Sequence, residues 1–270
     1  FYTHERGQWL DVPVSLTDHL GAAFAETDLA LADGVALRIG GRAEYASVIS
    51  RWALAPRVSL AYRFARAHQL NVAYGIFYQE PESMYLYAPK GAGLDFSSAD
   101  HYLMNYTYKA NNRFLRAEWY HKRYRNLVRT TPRIRTSGTG FANGFELFFR
   151  DKRSIQDLDY WVTYTYLNTS REYLDYPGRL EPTFSAPHTG TLAVKKFIPS
   201  WSANVNISYS FATGRPYYDI YRDPQSADTR VRHAGTTRPY SVVNLHVAYI
   251  TRFFKKSKLR NFSGFAGGVT

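Results

Sequence analysis

Residues 35–45 divide cleanly between two faces. Val35, Leu37, Ile39, Gly41, Ala43 and Tyr45 fall on one side of an extended chain, and Ala36, Arg38, Gly40, Arg42 and Glu44 on the other. Successive side chains of a strand point in opposite directions, so only a β conformation separates these sets. The same form returns in segment after segment, with no helical stretch between them to cover the apolar face. A soluble sandwich would bury that face against a second sheet. A wall that meets lipid on one side and water on the other needs no such cover, which is the requirement of a membrane-spanning barrel.

Period-two alternation and turn signals give roughly eleven full strands and the start of a twelfth. They fall near residues 20–31, 35–47, 57–64, 70–79, 99–109, 114–124, 141–150, 159–169, 189–197, 202–213 and 240–251, and the last begins near Asn261. The connections at 33–34, 66–69, 111–112, 151–158 and 199–200 are short and polar, suited to tight hairpins. Those at 80–98, 125–140, 170–188 and 214–239 are long, and 46–56 is intermediate. Short and long alternate, which places the short turns at one end of the sheet and the long loops at the other. In outer-membrane barrels the short turns face the periplasm and the long loops face outward.

Facing is consistent across the chain. Val58, Leu60, Tyr62 and Phe64 oppose Arg57, Ser59, Ala61 and Arg63, while Ala203, Val205, Ile207, Tyr209 and Phe211 oppose Asn204, Asn206, Ser208 and Ser210. A charge at the bilayer midplane costs roughly 2–4 kcal/mol, so charges should leave the lipid face except at strand ends. Asp100, His121, Arg123 and Lys196 are such exceptions, placed where long side chains reach an interface. Tyr and Phe number 23 and 17, a content that suits aromatic girdles at the two membrane surfaces. The net charge of +12 brings no RNA-binding signature or zinc spacing with it, so nucleic acid is not an expected partner; lipid phosphates at the membrane surface are. With no cysteine there is neither a disulfide framework nor a thiolate metal site. The expected architecture is all-β, an antiparallel up-and-down transmembrane barrel, with residues 1–270 forming one domain.

Several stretches resemble the barrels of TonB-dependent outer-membrane receptors. Trp52-Ala53-Leu54-Ala55-Pro56-Arg57 with Val58-Ser59-Leu60-Ala61-Tyr62 is similar to one of their hairpins, as are Asn71-Val72-Ala73-Tyr74-Gly75-Ile76-Phe77-Tyr78-Gln79 and Ala142-Asn143-Gly144-Phe145-Glu146-Leu147. Ser208-Tyr209-Ser210-Phe211-Ala212-Thr213-Gly214-Arg215-Pro216-Tyr217-Tyr218 resembles a late strand and loop start. The resemblance implies a barrel of about 22 strands, occluded by an N-terminal plug and energised through the TonB complex. This sequence supplies about half of those strands. It begins at Phe1 without a signal core and closes on Phe265-Ala266-Gly267-Gly268-Val269-Thr270 without a terminal aromatic, so both ends are expected to be cut, with the plug and the final strands outside it.

The chemistry that remains is that of binding. No HExxH, GxSxG or phosphate loop occurs, and the eight His are scattered, so no metal, cofactor or catalytic centre is expected. His101, His188, Asp95, Asp100 and Asp175 read as polar residues of the outer rim. By parity Arg38, Arg42, Glu44, Glu118, Glu146 and Arg150 project inward, together with Glu26, Asp28, Arg116 and Lys122. They either pair along the barrel wall or hold the plug. Ligand-binding candidates lie in the long loops: Tyr85, Tyr87 and Phe96 in one, and Arg215, Tyr217, Tyr218, Tyr221 and Arg222 in another. Aromatic rings stack on sugar or apolar faces and Arg clamps carboxylate or phosphate, though rings packing on one another would order the same loops.

The expected function is therefore energised import of a scarce nutrient: an iron chelate, cofactor, glycan or peptide. The expected partners are the plug, the TonB complex, outer-membrane lipid and a surface lipoprotein. A passive porin is the alternative, and an outer-membrane barrel enzyme a more distant one.

Overall fold

The computed structural model describes residues 2–5, 8–11, 17–86, 93–223, 228–251 and 263–269. Its sixteen strands, in chain order, are β1 (Tyr2–Glu5), β2 (Gln8–Asp11), β3 (Leu20–Ala32), β4 (Val35–Ala46), β5 (Arg51–Ala65), β6 (His68–Gln79), β7 (Ser97–Ala110), β8 (Arg113–Arg129), β9 (Arg135–Asp151), β10 (Leu158–Glu172), β11 (His188–Ile198), β12 (Ala203–Ala212), β13 (Pro216–Arg222), β14 (Thr229–Thr236), β15 (Tyr240–Thr251) and β16 (Ser263–Val269). Among the described residues one short α-helix, α1, covers Ser83–Leu86, and a single 3-10 turn covers Pro199–Trp201. Twelve strands form one antiparallel sheet, β3 to β12 followed by β15 and β16, each beside its neighbour in sequence apart from the excursion of β13 and β14. β1 and β2 pair with each other, as do β13 and β14. The sheet is an open wall whose ends are β3 and β16.

The short turns follow from their residues. Gly34 takes φ +78° in the Asp33-Gly34 turn, and Asn111 and Asn112 take φ 50° and 59° between β7 and β8. Two consecutive left-handed residues make the turn whose twist matches the flanking strands, and Asn tolerates that conformation better than most side chains. Between β9 and β10, Asp151 organises the corner. Its carboxylate accepts the Arg153 N–H at 2.7 Å, the Ser154 N–H at 2.9 Å and the Arg113 Nε–H at 2.9 Å.

Register settles the facing that alternation suggested. Leu37, Leu60, Val72, Met104, Trp119, Phe145 and Tyr166 lie on one face, each directly opposite the next across successive strands. Along β6 and β7 this face reads aromatic, aliphatic, aromatic: His68, Leu70, Val72 and Tyr74 beside Tyr108, Tyr106, Met104 and Tyr102. Rings meet at both levels, with His68 5.0 Å from Tyr108 and Tyr74 4.9 Å from Tyr102. An apolar band bordered by aromatics on the outside of a sheet is the signature of contact with lipid.

The strands run further than the alternation indicated. β8 and β9 hold 17 residues each, where a tilted strand crosses the hydrocarbon in about 9–11. Their surplus projects as a hairpin beyond the membrane, and the long connection expected at 125–140 shrinks to residues 130–134. The connection expected at 46–56 is a turn of residues 47–50, because β5 begins at Arg51 and Pro56 lies inside it. Pro has no N–H for a ladder, and it is accommodated because the pairing of β5 with β6 begins only at Arg57. Residues 214–239 likewise contain the β13–β14 hairpin, since the alternation there is short and interrupted by polar residues. The outward end is thus marked by overshooting strands as well as by loop length.

Candidate functional site

The charges expected to point inward share the polar face of the wall, and most of them neutralise one another. Arg38 grips Asp28 on β3 through two bonds of 2.6 and 2.9 Å, with Glu26 3.5 Å away. Arg150 holds Asp159 on β10 in the same bidentate way, at 2.8 and 2.6 Å. Arg42 pairs with Glu44 at 2.9 Å and Arg116 with Glu118 at 2.5 Å, each two residues along one strand and hence on one face. A relay of amides links three strands: Gln69 donates to Asn71, Asn71 to Asn105, and Asn105 to Glu118 at 3.3 Å.

Glu146 stands apart. It lies directly opposite Glu118 on β8 and Thr165 on β10, and among the described residues it has no ion pair or hydrogen bond. The two carboxylates share a recess of about 480 Å³ with Arg116, Thr163, Thr165, Phe114 and Phe148. Lys122, also on this face, is 4.9 Å from the Tyr120 ring centre.

At the outward end the long connections are fastened into a canopy. Leu174 bonds back to the end of β8, its N–H donating to Val128 O at 2.7 Å while its carbonyl accepts from Thr130 N–H. Thr131 meets Thr229 of β14 at 3.1 Å, and the Asp95 N–H reaches Thr136 on β9 at 3.0 Å. The rings of Tyr173, Tyr176 and Tyr218 follow one another at 5.0 and 5.9 Å. These contacts join four connections that are far apart in sequence.

Arg171 occupies the middle of this canopy. Its guanidinium lies 4.3 Å from the Tyr124 ring centre, 5.3 Å from Phe184 and 5.8 Å from Tyr173. Gly140 makes this possible. It sits between Tyr124 and Arg171 in the ladder, and a Cβ there would come within 2.9 Å of Arg171 Cγ and 2.7 Å of Ser170 O. Among the described residues Arg171 Nε is buried without an acceptor, as is Nε of Arg129, whose guanidinium pairs with Glu172. A buried N–H left unmet costs roughly 1–3 kcal/mol.

Set against this geometry, the loop candidates part company. Tyr85 is half-buried on α1, with its hydroxyl raised in pKa by burial and by the nearby carboxylates of Glu82 and Asp175. Phe96 is 3% exposed and packs with Ala46 and Ala53, so it orders its loop. Tyr87 lies outside the described residues. Alternation along β13 splits the second group: Tyr217 and Tyr221 turn toward His233 and Arg232 of β14, while Tyr218 turns toward Tyr176. Burial raises the Tyr218 hydroxyl pKa, assisted by Glu181. Arg215 and Arg222 are exposed at the two ends of β13. Arg171, Tyr124, Tyr173, Tyr176 and Phe184 escaped sequence reasoning; the available signal was a glycine inside a strand, Gly140, which marks close approach by a neighbour.

A second junction closes the rim near β3. Asp18 accepts the Val48 N–H and the Ser47 hydroxyl, and these bonds, working against burial, hold its carboxyl below the ordinary range. Glu80 faces it, and burial with the Asp18 charge pushes the Glu80 carboxyl up.

Comparison with known proteins agrees with this architecture. Residues 6–265 match the family described as TonB dependent receptor-like, beta-barrel. The ferric citrate transporter FecA in its unliganded form aligns with a TM-score of 0.71 at 14% identity, covering 93% of this chain and 40% of FecA. The outer membrane transporter YddB from Escherichia coli aligns at 0.70 and 12%, covering 89% and 40%. The siderophore receptor PirA from Acinetobacter baumannii aligns at 0.70 and 13%, covering 88% and 40%. The chain therefore spans about two-fifths of the length of these structures. No curated protein matches it.

Proposed function

The chain belongs to the TonB-dependent receptor-like β-barrel family, placing it in the outer membrane of Gram-negative bacteria, and on that premise we propose that it forms part of the wall of a receptor importing an oxygen-rich anionic ligand, such as an iron chelate, with energy delivered through TonB. The observation that carries the ligand class is Arg171, a guanidinium held by three rings with Nε buried and unmet. A carboxylate, catecholate or hydroxamate oxygen would supply its acceptor, and the flanking rings would exclude water from the bond. Below it, Glu146, unpaired among the described residues, offers its carboxylate to a plug filling the lumen. Arg38, Arg42, Glu44, Glu118 and Arg150 offer paired groups whose remaining acceptor and donor sites can bond to the same plug. Tyr218, in ring contact with the canopy, borders the ligand; Tyr85, Tyr217, Tyr221, Arg215 and Arg222 form its outer approach, and Phe96 supports it.

Uptake of radiolabelled ferric chelates should be compared in cells carrying and lacking the native gene. The expected result is gene-dependent uptake that stops when TonB is inactivated or the proton gradient is collapsed. Arg171→Gln should weaken ligand binding about tenfold or more, the loss of one charge-assisted bond. Solute entry that continues at an unchanged rate without TonB or the gradient would mark a passive pore and overturn the proposal.

A further inference from the structure

On the outer surface of β8 the lipid-facing series runs Leu115, Ala117, Trp119, His121, Arg123 and Arg125 from the short-turn end toward the canopy. Ten residues of tilted strand, about the hydrocarbon thickness, separate Leu115 from Arg125. The apolar series therefore changes to cations at the depth where the outer leaflet presents its headgroups. On the adjoining β9 the same face carries Phe145, Asn143, Phe141 and Thr139. Thr139 accepts a bond of 3.0 Å from Arg179 in the β10–β11 connection, which brings a third guanidinium to this surface. His121, Arg123, Arg125, Arg179, Thr139 and Phe141 border one recess of about 380 Å³.

The three guanidiniums differ in how they are held. Arg125 bonds Asp100 at 2.5 Å, and Asp100 is 5% exposed, so the cation is oriented while its own side chain stays partly open. Arg179 is tethered by Thr139. Arg123 is exposed and has neither ion pair nor hydrogen bond among the described residues. At the same outward level, β4 and β5 present Tyr45 and Trp52 and β12 presents Phe211, so the cations are concentrated on the β8–β9 sector.

We propose that this sector binds the phosphorylated headgroup of an outer-leaflet glycolipid of the lipid A type, with Arg123 and Arg179 on a phosphate, Arg125 beside it, and acyl chains along Trp119 and Phe145. Phosphate accepts several bonds from planar guanidinium groups, and the apolar belt directly beneath is where a lipid tail must lie. A free anion would gain nothing from that belt. The proposal rests on the membrane orientation of the sheet and is independent of the imported ligand.

The test uses protein made from the native gene, extracted in detergent, and offered lipid A, the same lipid stripped of phosphate, and phosphatidylglycerol, with bound lipid counted by native mass spectrometry. Phosphorylated lipid A should be retained in preference to the other two. Arg123→Gln with Arg179→Gln should weaken that retention about tenfold or more, and Arg123→Gln alone, at a side chain with no internal partner, should weaken it in part. Lys196→Gln, on the same face at the opposite end, should leave it unchanged, and unheated gel mobility checks that each variant folds. Equal retention of the phosphate-free lipid or of phosphatidylglycerol, complete displacement by inorganic phosphate alone, or full retention by the folded double variant would each overturn the proposal.

Discussion

At Gly144 one missing side chain organises its surroundings. The ring of Tyr120 crosses the position, and a Cβ there would collide with it. Gly144→Val should force Tyr120 from its place and cost about 1–3 kcal/mol, read as a lower urea midpoint of unfolding in detergent or bilayer. Glu80 supplies a pH-dependent counterpart. Its carboxyl pKa is raised by burial and by Asp18, so the folded state holds this proton more tightly than the unfolded chain does. The resulting stabilisation is complete at pH below the unfolded pKa and is lost as pH rises through the raised folded value. Hydrogen exchange at Ser47 and Val48, corrected for intrinsic rate, should therefore show weaker protection as pH rises through that interval. Glu80→Gln should remove this dependence; unchanged dependence would place its source elsewhere.

Strands were the most legible elements because period-two alternation is imposed by lipid on one side and water on the other. Residues 35–45 and 202–211 needed nothing beyond their own pattern. The ends were harder: once β5, β8, β9 and β10 leave the hydrocarbon, no apolar face is required, and the alternation fades while the ladder continues. The same asymmetry predicts mutational tolerance within β12. Ile207→Lys places a charge between Val194 and Leu245 on the lipid face and should cost roughly 2–4 kcal/mol. Ser208→Lys, one residue on and facing Ala193 and Asn244, should stay within about 0.5 kcal/mol. Equal costs in denaturant titration would contradict the facing.

For the whole molecule, the wall was readable and the canopy was not. Pairing within a hairpin follows from neighbouring sequence, whereas Arg171 meets Tyr124 and Tyr176 meets Tyr218 across separations of roughly 45 residues that carry no local pattern. Parity groups the charges expected to point inward on one polar face, yet it could not show that Arg38, Arg42, Arg116 and Arg150 have carboxylate partners while Glu146, among the described residues, has none. Everything functional depends on which face meets lipid. The chain contains no cysteine, so single cysteines can be introduced along β12 at 204–210, spin-labelled, and reconstituted in a bilayer. Oxygen accessibility should rise at 205, 207 and 209 and fall at 204, 206, 208 and 210, with a period of two. A flat profile, a helical period or the opposite phase would contradict the account of this chain as a lipid-facing wall around a polar lumen.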